Sequence, residues 1–589
     1  MRTRALFGAL IIALAVVPAW AQNDEEAALP EESALIAKLQ SNAPAAEKDA
    51  ACHRLKKIGT TAAVPALAAC LLDDALSHPA RQALESMRSP EAGEALVSAL
   101  EKTSGLNRAG IIDSLGLRRE KSAVPELIPL LSDPDPVTAE AAARSLGRIG
   151  TLDVIAPLKA ALESGNPGAV DALLRCAEQL RRDGNDEGAF QLASELCSMN
   201  LRAHGLVAAH RARILAAGNR MTDLAIEAIT GADGPARTAA LGLAADLPGA
   251  EATRALAGAL EKVKPPVQIA VLKSLAARAD KSAQEAVAAA VASPDPTVRL
   301  AALDALGDLG DSASVELLIQ TAANGLDGER DAARNALGLL RGRDICKTMT
   351  RLLPDAPTAE QVALARALAA RRETQSVPAL IELARRSAEP AEVAALKALG
   401  VLAGESEAGA LIELMRAAPS DAVRDAAEDA VVRLAGRIPD PGKVVDALLT
   451  SEPRQPAQVI SVLTAAARID LARALPRLQA GVNDADPAVR GGAMRVLAQY
   501  CGLESKDQLL DLARTATDES ERTLILRGYW RVVDLAKDQP PEARLEMVRS
   551  GLAAAKSEES RKSGVAALSG ILLKSALECA EQARADETV

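Results

Sequence analysis

The stretch SPDPTVRLAALDALGDLG, residues 293–310, decides the fold because variants of it return along most of the chain. DPDPVTAEAAARSLGRIG at 133–150 and DADPAVRGGAMRVLAQYCG at 484–502 are two of them. If the Leu of DALG is taken as an anchor, leucines recur at steps of 31 residues, at Leu84, Leu115 and Leu146 and again at Leu275, Leu306, Leu337, Leu368 and Leu399. A step held over so many copies indicates a repeat protein.

The residues before each anchor predict an α-helix with one apolar side. Four residues before the anchor stands a small or aliphatic residue, at Ala142, Ala302, Ala333, Ala395 and Ala493. Seven residues before it stands a long polar residue, at Arg108, Gln268, Arg299, Arg330, Gln361 and Arg490. Positions −7, −4 and 0 lie along one side of an α-helix. We therefore expect the Ala and Leu residues to face the core and the polar residue to mark the first turn.

An Asp-Pro pair predicts where this helix begins. Asp295 can accept from the exposed backbone N–H groups, and Pro296 takes the first helical position, where its missing N–H is not needed. Asp135-Pro136 and Asp486-Pro487 repeat the pair, and Asn166-Pro167 repeats the arrangement. Each of the four pairs is expected to begin a helix.

A second helix follows each anchor. Pro65, Pro125 and Pro378 lie ten residues or so after an anchor position and open the apolar runs AVPALAA, AVPELIPLL and SVPALIELA. Two short helices in about 30 residues form a hairpin that cannot bury its own apolar face, so neighbouring hairpins must stack. The sequence predicts an all-α fold, an α-solenoid of about 16 or 17 stacked antiparallel helix hairpins over residues 35–585.

The Asp-Pro turn, the Val-Arg helix start, the Leu-Gly anchor and the alternating LIPLL helix resemble the HEAT repeat, in particular the short bacterial HEAT-like repeats of the phycobilin-lyase type. In that family a turn Asp and a helix-start Arg bond along the stack, which Asp484 and Arg490 match and Ser293 before Arg299 does not. The resemblance also implies that the second helices line the inner, concave side. Two regions depart from the pattern: residues 166–230 are predicted to be atypical hairpins, and residues 515–585 a C-terminal cap.

The first 21 residues read as a secretory signal peptide. MRTR is basic, Ala5 to Val17 is apolar, and small residues at Ala19 and Ala21 suit signal peptidase. The apolar run is too short to cross a bilayer core of about 30 Å. We expect cleavage after Ala21, a periplasmic or secreted protein without membrane insertion, and an acidic, disordered lead-in over residues 22–34.

Charge and composition disfavour nucleic-acid binding. The chain has 68 Lys and Arg against 79 Asp and Glu, a net charge of −11, and loss of the leader would make it more acidic. A negative chain repels phosphate backbones unless a basic stripe overrides its charge, and the sequence has no such stripe. Tyr529 and Trp530, the adjacent aromatics outside the leader, are read as packing inside the last hairpins or as an exposed interface anchor.

Metal and redox motifs are weak. The loop from Asp183 to Phe190 approaches a calcium loop, but its twelfth position is Ser194, so either calcium or an ordinary turn between helices fits. The histidines are scattered, and the seven cysteines form no C-x-x-C motif. Cys52 with Cys70, or Cys176 with Cys197, would meet across adjacent helices as disulfides, unless they are buried thiols.

The sequence assigns no catalytic, cofactor-binding or metal-ligating residues. The leading interpretation is an exported, non-catalytic scaffold that binds a protein partner on its concave surface, because stacked repeats create extended surfaces. Two alternatives follow from the resemblance: an enzyme or enzyme subunit similar to HEAT-like lyases, and a nucleic-acid-binding HEAT-like protein.

Overall fold

The computed structural model describes residues 31–569, 571 and 574–585, which form α-helices and short 3-10 turns without any strand. The chain divides into two compact units, one that ends at Arg278 and one that begins at Ala279. The predicted signal peptide of residues 1–21, and residues 22–30 of the predicted lead-in, lie outside the described residues.

The helices of the first unit are α1 (31–40), α2 (Ala45–Ile58), α3 (Val64–Cys70), α4 (Ser77–Ser86), α5 (Pro90–Ala99), α6 (Gly105–Arg118), α7 (Val124–Leu127), α8 (Pro136–Ile149), α9 (Ile155–Glu163), α10 (Ala169–Arg182), α11 (Asp186–Ser198), α12 (Ala203–Leu215), α13 (Met221–Thr230), α14 (Pro235–Leu243), α15 (Gly249–Ala259) and α16 (Pro265–Arg278).

The helices of the second unit are α17 (Gln284–Ala290), α18 (Pro296–Leu309), α19 (Val315–Asn324), α20 (Asp327–Leu339), α21 (Ile345–Leu352), α22 (Thr358–Ala370), α23 (Val377–Arg386), α24 (Glu389–Leu402), α25 (Ala408–Ala417), α26 (Asp421–Ala435), α27 (Gly442–Thr450), α28 (Pro456–Ile469), α29 (Leu471–Val482), α30 (Pro487–Gln499), α31 (Lys506–Thr515), α32 (Glu519–Leu535), α33 (Pro541–Ala554), α34 (Glu558–Leu568) and α35 (Lys574–Ala585).

The even-numbered helices include every predicted anchor leucine, and we call them anchor helices; the odd-numbered helices from α3 onward are second helices. All eight anchor leucines are 0% exposed, and so are the five small residues four positions before an anchor. The predicted apolar side is therefore confirmed, and the all-α solenoid architecture of stacked helix hairpins is observed in each unit.

Successive anchor helices pack very closely. A Cβ atom added to Gly147, the residue after the anchor of α8, would lie 2.5 Å from the Cα of Ala172 on α10. Gly307 and Gly400 lie against the next anchor helix in the same way. An added Cβ atom would lie 3.2 Å from the Cα of Ala336 and 3.1 Å from the Cα of Ala430, respectively. In each unit most neighbouring anchor helices contact one another over much of their length, whereas neighbouring second helices share short contacts.

The predicted helix starts are confirmed at three of four sites. The carboxylates of Asp135, Asp295 and Asp486 accept from backbone N–H groups two or three residues ahead. The expectation for Asn166 is wrong, because α10 begins only at Ala169. Asn166 is buried, and its amide donates to carbonyls of the preceding hairpin, while its oxygen accepts from the N–H of Gly168.

Five of the six long polar residues seven positions before an anchor bind backbone carbonyls at the end of the preceding helix or in the turn that follows it, whereas Arg330 pairs with Asp327. Orphan carbonyls at a helix end need such donors. Four of the bonds are Arg299 Nη1 to Ser293 O at 2.9 Å, Arg490 Nη1 to Asp484 O at 2.8 Å, Gln268 Nε2 to Leu260 O at 2.8 Å and Gln361 Nε2 to Leu353 O at 3.3 Å.

The side-chain bond that the resemblance implied between Asp484 and Arg490 is therefore replaced by a bond to the carbonyl of Asp484. The Asp484 carboxylate accepts instead from the N–H of Asp486, at 2.9 Å. An Asp–Arg bond along the stack does occur between Arg108 and Asp133, at 3.4 Å.

The second helices begin as predicted at Pro65, Pro125 and Pro378, which lie in the first turns of α3, α7 and α23. In the atypical region 166–230 the second helix α11 has 13 residues, against 7 in α3 and 4 in α7. At the amino end, α1 begins inside the predicted lead-in. Glu31 pairs with Arg54 at 2.6 Å, and buried Glu32 accepts from Thr60, so residues 31–34 are helical rather than disordered.

A matched pair of glycines tests the close packing. We expect Gly147→Ala to destabilise the protein by roughly 1–3 kcal/mol, because its methyl group would overlap the backbone of α10. Gly242→Ala, on α14, meets nothing within 4 Å and should stabilise by up to about 1 kcal/mol through helix propensity. Denaturant unfolding of both variants measures the difference, and a stabilised Gly147→Ala would contradict the assigned packing.

Candidate binding surface on the anchor helices

A ridge of polar side chains runs along the outward side of the anchor helices. The residue two positions before an anchor lies nearly opposite the buried leucine on the helix circumference. This position is polar and partly or fully exposed in eight anchor helices, at Gln82, Asp113, Arg144 and Lys273 in the first unit and at Asp304, Asn335, Arg366 and Lys397 in the second. We call this set the anchor ridge.

Ion pairs and exposed aliphatic side chains complete the anchor ridge. Asp113 of α6 binds Arg144 of α8 at 3.1 Å and Arg148 at 3.3 Å, so one carboxylate links two anchor helices. Two positions after the anchor, Leu117, Leu339 and Val401 are 55%, 58% and 40% exposed. A surface that mixes charged groups with exposed aliphatic groups is typical of protein interfaces.

A groove of about 600 Å³ opens on the anchor helices of the second unit. We call it the Glu428 groove. Its lining side chains come from α26, α28 and the end of α30, and are Asp421, Arg424, Asp425, Glu428, Asp429, Ala457, Ile460, Ser461, Thr464, Arg468 and Tyr500. Four carboxylates against two guanidinium groups give the groove a negative balance.

Glu428 occupies a position that is apolar in most other anchor helices. Gly307 packs on Ala336, and the anchor of α20 is the residue that follows Ala336. Gly400 packs on Ala430 in the same way, so the anchor of α26 is Val431. Glu428 lies three positions before this anchor. The same position is fully buried and apolar at Ile112, Ala143, Leu272, Leu303, Ala365 and Leu396. Arg81 and Arg334 are exceptions, and both reach solvent.

The Glu428 carboxylate is buried without an ion-pair contact. The residue is 8% exposed, and none of the described cations lies within contact distance of it. Arg424 pairs with Asp421, and Arg468 binds Asp429 at 2.7 Å. Burial raises the pKa of Glu428 above its usual value and Asp425 adds to this, while Ser461 and the two arginines oppose it.

Ser461 is a second polar exception. In α28, Gln458 takes the −7 role by donating to the carbonyl of Arg416 at 2.8 Å, which makes Ala465 the anchor. Ser461 therefore stands at the −4 position, where other anchor helices carry alanine or a larger aliphatic residue. It is 2% exposed, and its hydroxyl lies beside Glu428 without a well-formed hydrogen bond to any described residue. Sequence reasoning missed both residues, although alignment of the repeats would have marked them.

The predicted calcium-like loop is part of a helix–turn–helix. Asp183 follows the end of α10 and accepts from Gln179 at 2.8 Å, Gly184 takes a positive φ of 81°, and Asn185 caps α11 by accepting from Gly188 at 3.0 Å. Residues 186 and 187 already belong to the first turn of α11. In the described ranges, the acids, cysteines and histidines form no group of three or more that could hold a metal ion.

All seven cysteines are free thiols, and one predicted pair is in contact. The hydrogen bond from Cys52 lowers the pKa of Cys70 to about 7, with a smaller contribution from Lys48. The same bond, together with burial, raises the pKa of Cys52. In the other predicted pair, burial raises the pKa of Cys176 to about 12 and also raises that of Cys197.

Tyr529 and Trp530 pack inside the last hairpins, in agreement with the first of their two interpretations. Both are buried, their ring centroids lie 5.6 Å apart in an edge-on arrangement, and the Tyr529 hydroxyl donates to the carbonyl of Met547 at 2.9 Å. Gly551 and Gly564 lie directly against the Trp530 ring. The exposed-anchor interpretation is therefore wrong.

Residues 93–177 and 253–338 match the family model of HEAT repeats. These two segments are similar to HEAT repeats. The two matched segments run from α5 to α10 and from α15 to α20, where the anchor leucines recur at the constant step. A comparison with curated proteins gives no match. Within the described ranges, no helix combines the length and apolar character that a membrane span requires.

Two solved structures are similar to this chain. Kap121p bound to Ste12p shares 13% identity at a TM-score of 0.40, over 94% of this chain and 76% of that one. Importin Beta in an ammonium sulfate condition shares 16% identity at a TM-score of 0.33, over 94% of this chain and 86% of that one. Both TM-scores are below 0.5.

Replacement of Glu428 tests the burial of its charge. A folded-state pKa above the ordinary value means that the ionised carboxylate destabilises the fold at neutral pH, and that protonation removes this effect. We expect Glu428→Gln to raise the melting temperature at about pH 7, with the advantage shrinking as the pH falls toward about 4. Paired thermal unfolding curves measure this, and a variant less stable at neutral pH would contradict the assignment.

Mild oxidation tests the cysteine pair. A thiolate at contact distance from a second thiol is the arrangement that forms a disulfide most readily. We expect diamide to link Cys52 to Cys70 before it links Cys176 to Cys197, and non-reducing peptide mapping by mass spectrometry distinguishes the two. Cys52→Ser is the control, since it should leave Cys70 without an internal partner. Preferential linkage of Cys176 to Cys197 would refute the prediction.

Proposed function

We propose that the chain is an exported, non-catalytic HEAT-repeat scaffold that binds a protein partner on the anchor ridge. The observation that carries the proposal is the ridge itself. It presents polar and charged groups on eight anchor helices, together with exposed Leu339 and Val401, and glycines hold several of these helices in close backbone contact. Rigid, mixed surfaces of this kind bind protein with little loss of conformational entropy.

The binding side proposed here differs from the one implied by the sequence resemblance, which placed the second helices on the inner side. Anchor helices approach each other more closely than second helices do. In a curved stack, the row with the smaller spacing between helices lies on the inside. We therefore assign the inner, concave surface of each unit to the anchor helices.

Export is proposed from the leader of residues 1–21, and the periplasm or the exterior is the proposed location. The short bacterial type of repeat found with phycobilin lyases is likewise proposed from the Asp-Pro and Leu-Gly pattern. Bilin attachment or other turnover by the purified protein would favour the lyase-like alternative. A salt-dependent mobility shift with duplex DNA would favour the nucleic-acid-binding alternative.

Site-specific photocrosslinking tests the proposed binding face. A benzophenone amino acid at Asp304, Arg366 or Lys397 on the anchor ridge should link the chain to one partner of constant mass in cells of the source organism. All three sites are exposed, so the substitution should leave the fold intact. The measurement is the yield of the crosslinked band, with the partner identified by mass spectrometry.

Exposed sites on second helices of the same unit are the matched controls. Glu316 on α19 and Glu413 on α25 should give at most a small fraction, about one tenth, of the yield, because adjacent rows of helices lie about 10 Å apart and face different ways. Efficient crosslinking from the second helices alone would overturn the proposal, and so would its absence at all three ridge sites.

A further inference from the structure

We propose that the Glu428 groove is a subsite for an arginine side chain of the protein partner. The assignment rests on the binding face proposed above, because the groove opens on the anchor helices. Glu428 is the central acceptor, Asp425 the second, and Tyr500 the wall against which the guanidinium group lies.

The first step is the buried charge. A carboxylate removed from water destabilises a protein unless a cation or several donors satisfy it. Glu428 is 8% exposed, and the nearby arginines are bound to Asp421 and Asp429 instead. Six other anchor helices have an aliphatic residue at this position, and Leu or Ala in place of Glu428 would remove the cost of burying a charge. The acid is therefore suited to a ligand that brings a positive charge.

The second step is an independent polar group in the same place. The hydroxyl of Ser461 is nearly inaccessible, lines the groove beside Glu428 and makes no well-formed hydrogen bond to any described residue. A buried hydroxyl usually has at least one partner. A donor placed between α26 and α28 would reach the Ser461 oxygen and the Glu428 carboxylate together.

The third step concerns the arrangement of the acids. Asp421, Asp425 and Asp429 follow one another at intervals of four residues, and Glu428 lies beside the last of them. Residues four apart on a helix are about 6 Å apart along its axis. The carboxylates thus form a row and do not converge on one point, which suits an extended basic segment better than a metal ion.

The fourth step distinguishes arginine from lysine. A guanidinium group is planar, donates up to five hydrogen bonds in a fixed fork and stacks on aromatic rings. The groove is lined by four carboxylates together with Ser461 and the aromatic residue Tyr500. A lysine ammonium group would neutralise the charge of Glu428, but it could neither stack on the ring of Tyr500 nor bind Asp425 at the same time in a planar fork.

A defined peptide measures the subsite directly. The probe is a fluorescein-labelled peptide of alternating glycine and arginine, compared with the same peptide in which citrulline replaces arginine. Citrulline keeps the shape of the side chain and removes its charge. We expect the full-length protein to bind the arginine peptide at least tenfold more tightly, by fluorescence anisotropy, and added salt to weaken this binding.

Three variants locate the binding. Glu428→Gln and, separately, Asp425→Asn should each weaken the arginine peptide about tenfold, and Ser461→Ala about threefold. Glu413→Gln removes one exposed acid from α25 in the same unit and should change nothing. Circular dichroism of every variant confirms that it is folded. Equal losses in Glu428→Gln and Glu413→Gln would mean unspecific attraction and would overturn the proposal.

Further outcomes distinguish the arginine subsite from a metal site and from the proposed scaffold function. Calorimetry could show that the protein binds calcium, that Glu428→Gln abolishes this binding, and that the arginine peptide is not preferred. The groove would then be a metal site, and the proposal would be overturned. If the anchor ridge crosslinks its partner but Glu428→Gln leaves both peptide affinity and crosslinking yield unchanged, the subsite fails while the scaffold stands. If the anchor ridge gives no crosslink in the protein that retains Glu428, both the scaffold proposal and the arginine subsite are overturned.

Discussion

The close contact between one anchor helix and the next is the constraint on which the rest of the structure depends. Four of the five glycines that follow an anchor leucine lie against the backbone of the following anchor helix, as Gly147 does against Ala172. The anchor leucines beside these contacts are 0% exposed. Burial at 0% exposure is worth about 1.5–3 kcal/mol for each such side chain, so the small residues at the contact determine how much apolar area the stack can bury.

Most of this arrangement could be predicted from the sequence because it repeats. The anchor positions, the capping aspartates and the two helices per period are local features, and one copy reports on the others. Asn166 was misread for the opposite reason: its role is set by carbonyls of Leu131 and Ala139, far away in the sequence. The division near Arg278 likewise depends on three-dimensional packing.

The candidate site was harder to predict than the fold. Sequence reasoning followed the −7, −4 and 0 positions, which carry the architecture, and the acid at Glu428 lies between them. Among 79 acidic residues, one more carboxylate carries no information until its burial is known. Once the repeats are aligned on their contacts, Glu428 and Ser461 become recognisable as polar residues at buried, usually apolar positions. A departure from the repeat is therefore more informative here than the repeat itself.

The bonds made by Arg299, Arg490 and Gln268 have an evolutionary consequence. Each donor and its carbonyl acceptor are separated by only six to eight residues, so the joint between two helices is encoded within a single period. A duplicated or deleted stretch of one period would carry its own joint and would need no compensating change elsewhere in the gene. Lengthening or shortening of the array by whole periods is thus an accessible genetic event, and new surfaces can be added by copying before they are altered by mutation.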